Sequence, residues 1–120
     1  PSTFLKLLKM KHRIFLNQKF IIDNGFNDLD FVDCAILDYM LCVAQSTSEK
    51  IIFNNKIYYW YVYSKLIDDL PMLRITSKQG IRDRIKKLTR YDLVQPHPEN
   101  EKMGRSYFAF GSKTYLYSNH

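Results

Sequence analysis

Residues 73–94, L-R-I-T-S-K-Q-G-I-R-D-R-I-K-K-L-T-R-Y-D-L-V, decide how the rest of this chain is read. They open with the pattern of a capping box. Thr76 can accept from the backbone N–H of Gln79, and the Gln79 side chain can reach back to Thr76. Ile81, Ile85 and Leu88 recur at helical spacing and make one apolar stripe. Gln79, Arg82, Lys86 and Arg90 lie opposite it, with Lys78 and Lys87 on the flanks. Tyr91-Asp92 then gives a turn, and Leu93-Val94 is β-prone. The segment therefore predicts a helix anchored by three aliphatics, offering cations to solvent and running into a strand. An ordinary solvated amphipathic helix has the same pattern, so the remainder of the chain must discriminate.

Working outward, the charge is divided along the chain. Residues 1–19 hold Lys6, Lys9, Lys11, Arg13 and Lys19 and no acid, whereas residues 20–73 hold three lysines against eight acids. Residues 74–105 hold nine cations against Asp83, Asp92, Glu99 and Glu101, and the net charge is +6. An acidic middle between two basic segments predicts a polyanionic partner at one end of the fold. With 120 residues, one domain with a sizeable core is expected.

No run approaches the roughly 18 apolar residues of a membrane span, and no membrane association is expected. The N-terminus lacks a secretion-signal pattern. The chain starts on Pro1, as expected of a fragment of a longer protein. Cys34 and Cys42 fall on one expected helix, about 12 Å apart in rise, too far to bridge. Free, buried thiols and a cytoplasmic location are therefore expected.

The elements follow in order. Residues 1–12 mix Phe4, Leu5, Leu7 and Leu8 with lysines and read as a docking helix, the alternatives being a membrane-surface segment or a dimerisation arm. Residues 13–23 read as extended chain, and Asn24-Gly25 as a turn. A core helix is expected at 29–45, capped by Asn27 or Asp28, with Asp28, Asp30 and Asp33 favoured by the helix dipole and turned away from any polyanion. Ile51–Phe53, Asn54-Asn55 and Lys56–Tyr58 read as strand, turn, strand, with Tyr59–Val62 prolonging the run. A short helix follows Tyr63 or Ser64 and ends at Pro71. After the basic helix, Val94-Gln95 and 105–110 make a hairpin around a polar turn at 99–104, and 114–117 adds a last strand.

Helix, strand, helix, basic helix and hairpin is the order of an α+β winged helix-turn-helix. The expected architecture is a three-helix core plus a β-hairpin wing with an N-terminal extension. Residues 1–26 form an arm and strand, and 27–120 form the winged-helix DNA-binding domain. From about Lys56 onward the chain resembles the N-terminal winged-helix domain of plasmid replication initiators and phage replisome-organiser proteins. The residues that carry this are Tyr58-Tyr59-Trp60-Tyr61-Val62, Ser64–Pro71, Ser77-Lys78, Ile85–Leu88, Leu93-Val94 and Gly104–Tyr107. Phe20-Ile21-Ile22 suits an N-terminal strand of such proteins. Asp92 stands where that pattern usually has glycine, and Asp tolerates a left-handed turn. The resemblance implies origin recognition. Transcriptional regulation by a winged helix, or a winged-helix protein–protein assembly module, are the alternatives.

The candidate contacts to double-stranded DNA follow from the geometry of a recognition helix. Its N-terminal half enters the major groove, which selects Ser77, Lys78, Gln79 and Arg82 for base edges. Lys86, Lys87 and Arg90 suit phosphates, and Lys102 and Arg105 suit backbone or minor-groove contact from the wing. The aromatics at 58–63 are expected to alternate between core and surface rather than stack bases. His97 is expected to be an ordinary loop histidine. No phosphate loop, nucleophile elbow or metal constellation is present, so no enzymatic activity, cofactor or metal is expected. Homodimerisation or contact with replication-machinery proteins is compatible with these features.

Overall fold

The computed structural model describes residues 13–119, and the expected docking helix at 1–12 lies outside them. The elements are α1 (Gln18–Asp23), α2 (Phe31–Ser46), β1 (Lys50–Phe53), β2 (Lys56–Trp60), α3 (Tyr63–Asp69), a 3-10 turn (Pro71–Leu73), α4 (Lys78–Arg90), β3 (Val94–Pro96), α5 (Asn100–Met103), β4 (Tyr107–Phe110) and α6 (Thr114–Asn119). They make an α+β fold with one antiparallel four-stranded sheet of order β1-β2-β4-β3. No helix among the described residues is long and apolar enough to cross a membrane.

The core is built on α2 and α4. α2 is capped by Asp30 rather than by Asn27 or Asp28. The Asp30 carboxylate accepts from the Asp33 N–H, and the Asp33 carboxylate accepts from the Asp30 N–H. Ile36, Leu37 and Met40 are then fully buried. In α4 the expected stripe holds, with Ile81, Ile85 and Leu88 inside the main core. Its cap is shifted by one residue, because the Ser77 hydroxyl, not that of Thr76, accepts from the Gly80 N–H. The helix stops through a left-handed Asp92 at φ +58°. The Leu93 N–H bonds the Leu88 carbonyl and the Asp92 N–H bonds that of Thr89, so the last carbonyls are satisfied and the chain is delivered into β3. The backbone passes so close here that a Cβ on Gly111 would collide with the Asp92 carbonyl.

The β1–β2 hairpin turns on Asn54 and Asn55, both with positive φ, as a tight two-residue turn requires. β2 ends at Trp60, so Tyr61 and Val62, expected to prolong the strand, fall outside it. β3 and β4 pair as the expected hairpin, with Val94 opposite Phe110 and Pro96 opposite Phe108. Pro96 sits on an edge strand, where its missing N–H leaves no gap in the ladder. The loop between them folds into α5, and the Asn100 side chain pairs with both backbone groups of Tyr107 at 2.9 Å.

Both sheet faces are apolar. Tyr59, Tyr61, Phe108 and Phe110 face the helices, while Tyr58 and Tyr107 form a second cluster with Ile51, Phe53 and Trp60. His97 is buried in that second cluster, against Phe53 and Tyr58, with Nδ1 accepting from the Glu99 N–H.

Both ends differ from expectation. Residues 18–23 are helical, not extended, because Asn17 caps them and Phe20 and Ile21 turn into the core together. Residues 114–119 are helical rather than a strand, and Tyr117 is fully buried between Phe15 and Phe20. The Asn17 amide donates to the Tyr117 carbonyl at 2.6 Å, and the Asn17 N–H donates to the Tyr117 hydroxyl. Residues 13–26 are thus part of one core with the rest. Of the two thiols, Cys34 is buried, where burial pushes its pKa up to about 11, but Cys42 is exposed.

Candidate nucleic-acid interface

The helix α4 places its cations in two groups with different electrostatic fates. One flank turns towards the start of α2. There the Arg84 guanidinium lies 2.6 Å from Asp30 and 3.2 Å from Asp33, and Lys87 lies 2.6 Å from Asp33, whose side chain is 0 % exposed. Arg90 reaches Asp28 at 3.6 Å, and the Tyr91 hydroxyl donates to Asp28. The acids at the start of α2 therefore face this flank of the basic helix. A fully buried carboxylate demands a paired cation, so Lys87 and Arg84 are committed to holding α4 on α2. Burial pushes the Asp30 pKa up, but the Asp33 N–H and the Arg84 guanidinium outweigh it and hold the carboxyl at about 2. Arg84 is in turn raised by those same acids.

The other flank is open. Lys78, Gln79, Arg82 and Lys86 are exposed, and Lys78 and Lys86 have no ion pair among the described residues. The Gln79 amide donates to Asp83 at 2.8 Å and its carbonyl accepts from Arg82 at 3.3 Å. These bonds set both side chains in a row along the surface. The Arg82 guanidinium lies 5.9 Å from the centre of the Tyr63 ring. Ser77 uses its hydroxyl oxygen as the helix cap, which fixes it at the very start of α4.

Between α4 and the β3–β4 hairpin runs a groove of about 680 Å³. Ile85, Phe108 and Pro96 line its floor, while Tyr63, Arg82 and Lys86 border it. The Tyr63 phenol is pushed up by burial, against the pull of Ser106 and Arg82. On the hairpin, Lys102 is 84 % exposed and only loosely paired with Glu99 at 3.9 Å. Arg105 lies over Trp60, with Cζ 4.3 Å from the ring centre.

The structure thus brings Lys78, Gln79, Arg82 and Lys86 together with Ser77 on one exposed strip. It sets Lys87 apart against Asp33 and leaves Arg90 on the boundary. Sequence reasoning missed Arg84, and it read Trp60 and Tyr63 only as aromatics alternating between core and surface. Arg84 carried a signal, since it sits beside the aliphatic stripe rather than opposite it. Among the described residues no group of His, Cys, Asp and Glu is placed to hold a metal ion. Comparisons with protein-family models, curated proteins and solved structures return no match.

Proposed function

We propose that this chain binds double-stranded DNA as a winged helix, with α4 as the recognition helix and β3–β4 as the wing. The observation that carries the reading is the exposed strip of Lys78, Arg82 and Lys86 on α4, without carboxylate partners among the described residues, beside a hairpin bearing Lys102 and Arg105. The strand order supports it. β2 precedes the helix pair and joins the hairpin through β4, and α4 borders the hairpin across the groove lined by Ile85, Pro96 and Phe108. Cations free of internal partners are those whose charge a phosphate can use. Ser77, Lys78, Gln79 and Arg82 are the base-edge candidates. Lys86 and Arg105 serve phosphates, with Arg90 and Lys102 secondary and Lys87 structural. The biological role that fits the resemblance is origin recognition in a plasmid or phage replication initiator, and a winged-helix transcriptional regulator would use the same face.

A labelled duplex titrated at several salt concentrations tests this. Affinity should fall steeply with salt, by a slope of about 0.9 per phosphate neutralised. Replacing Arg82 and Lys86 together by Ala should weaken binding and flatten the slope by about 1, the share of the phosphate-bound Lys86, while leaving the melting temperature in place. Salt-insensitive binding, or a double variant that binds like the parent, would refute the DNA reading. A second reading, a protein-assembly module, is favoured by a different observation. Ile22 and Phe31 are 65 % and 73 % exposed on one shallow apolar groove with Leu16 and Ile21. Self-association measured by sedimentation, abolished by Phe31→Ser, would support it.

A further inference from the structure

Arg105 on the hairpin and Arg82 on the open flank of α4 are each backed by an aromatic ring, whereas the cations on the closed flank of α4 are backed by carboxylates. Arg105 lies over Trp60 and Arg82 lies beyond Tyr63 at longer range. Both rings come from one short segment at the junction of β2 and α3. Trp60 is the register partner of Tyr107, and the Ser106 carbonyl accepts the Tyr61 N–H at 2.9 Å, so the backbone on either side of the Arg105–Trp60 contact is fixed. The Arg105 N–H is itself tied to the Asn100 carbonyl. Ser106, next in sequence, bears on the Tyr63 phenol that Arg82 approaches.

The two kinds of backing have different consequences. A carboxylate cancels a cation's field and occupies its N–H donors. An aromatic ring attracts the cation through its quadrupole and covers only one face of the guanidinium. The N–H donors lie in the guanidinium plane and remain free, in the fork that fits a phosphate. A solvated arginine loses rotamer freedom when it binds, and a ring that already holds it flat removes that loss in advance.

We propose that Trp60 is a positioning residue for nucleic-acid binding: it holds the Arg105 guanidinium flat and oriented so that its in-plane donors meet a backbone phosphate. The inference rests on the DNA reading above and adds the residue that makes the wing arginine effective. Trp60 touches no nucleic acid in this scheme and acts through Arg105.

The test is a double-mutant cycle on the full chain with a fluorescently labelled duplex. Trp60→Leu should weaken binding about 3- to 10-fold by restoring rotamer freedom to Arg105. Its salt slope should stay that of the parent, because the charge is still present. Trp60→Phe, which keeps a ring face, should bind nearly as the parent does. Arg105→Ala should weaken binding and flatten the slope by about 1. Adding Trp60→Leu to Arg105→Ala should then do nothing further, the signature of a residue acting through its partner. Trp60 is the single tryptophan, so its emission should also shift when duplex is added to the parent protein. Additive losses in the cycle, or a folded Trp60→Leu that binds like the parent, would overturn the positioning role alone. A parent protein that binds no duplex at low salt would overturn the DNA reading and this role together. Should Trp60→Leu not fold, Arg105→Lys decides instead. It keeps the charge but not the planar fork, so parental affinity in that variant would overturn the proposal and a loss with an unchanged slope would support it.

Discussion

Lys86 and Lys87 are neighbours with opposite duties. Lys87 caps a carboxylate that has no access to water, while Lys86 points outward beside a groove. Lys87→Ala should therefore cost about 1.5–3 kcal/mol, the range for a hydrogen bond to a charged group. Lys86→Ala should stay within about 0.5 kcal/mol, and urea unfolding of both variants checks the contrast. Asp30 gives a pH signature. Its folded pKa is lowered from 3.8 to about 2, so its contribution is fully present above pH 3.8 and is lost as pH falls through about 2. The carboxylate is half exposed, which screens the pair with Arg84 and keeps the effect small. Asp30→Asn should flatten the stability profile between those two pH values and leave its shape near neutrality alone, as urea midpoints across pH will show.

At the scale of elements, α4 is defined by how it starts and stops. Ser77 closes its first turn and a left-handed Asp92 closes its last. Ser77→Ala should cost about 0.5–2 kcal/mol. Thr76→Ala, one residue earlier, should cost less than about 0.5 kcal/mol, since Thr76 is exposed and caps nothing. Thermal melts of the two variants would fix the register of the cap. A shift by one residue matters for the proposed function, because it sets which side chains sit at the tip of the helix where base edges are read.

At the scale of the whole molecule, the two chain ends of the described region are joined through Asn17 and Tyr117. Phe15 and Phe20 pack edge-on to the tyrosine ring. The Tyr117 pKa is pushed up to about 12, burial being the largest cause. Tyr117→Ala empties the centre of this clamp and should cost about 3–5 kcal/mol, as for other large buried aromatics. Because α1, α2, α4 and α6 share one core, the loss should appear in a single transition. Trp60 fluorescence in the sheet and far-ultraviolet circular dichroism of the helices should therefore unfold together. Separate transitions would show that the N-terminal residues are an appendage after all.

What could be read directly in the residues was whatever local spacing and turn chemistry dictate. Ile81, Ile85 and Leu88 announced the buried side of α4. Asn54-Asn55 announced a tight turn, and the prolines after Val94 limited β3 to an edge. Residues 18–23 and 114–119 misled because their apolar runs suit a strand as well as a helix. Asn17 and Tyr117, a hundred residues apart, settle the matter by capping and packing each other. The same distance effect governs the candidate site. Sequence supplied a row of cations on one helix, and their spacing set Arg82 and Lys86 opposite the stripe and Arg84 and Lys87 off to one side, but it said nothing of what each would meet there. Only tertiary packing sets Asp30 and Asp33 against one flank and aromatic rings under the other. A cation's usefulness to a phosphate depends on what already neutralises it, and that is a property of neighbours brought together by folding.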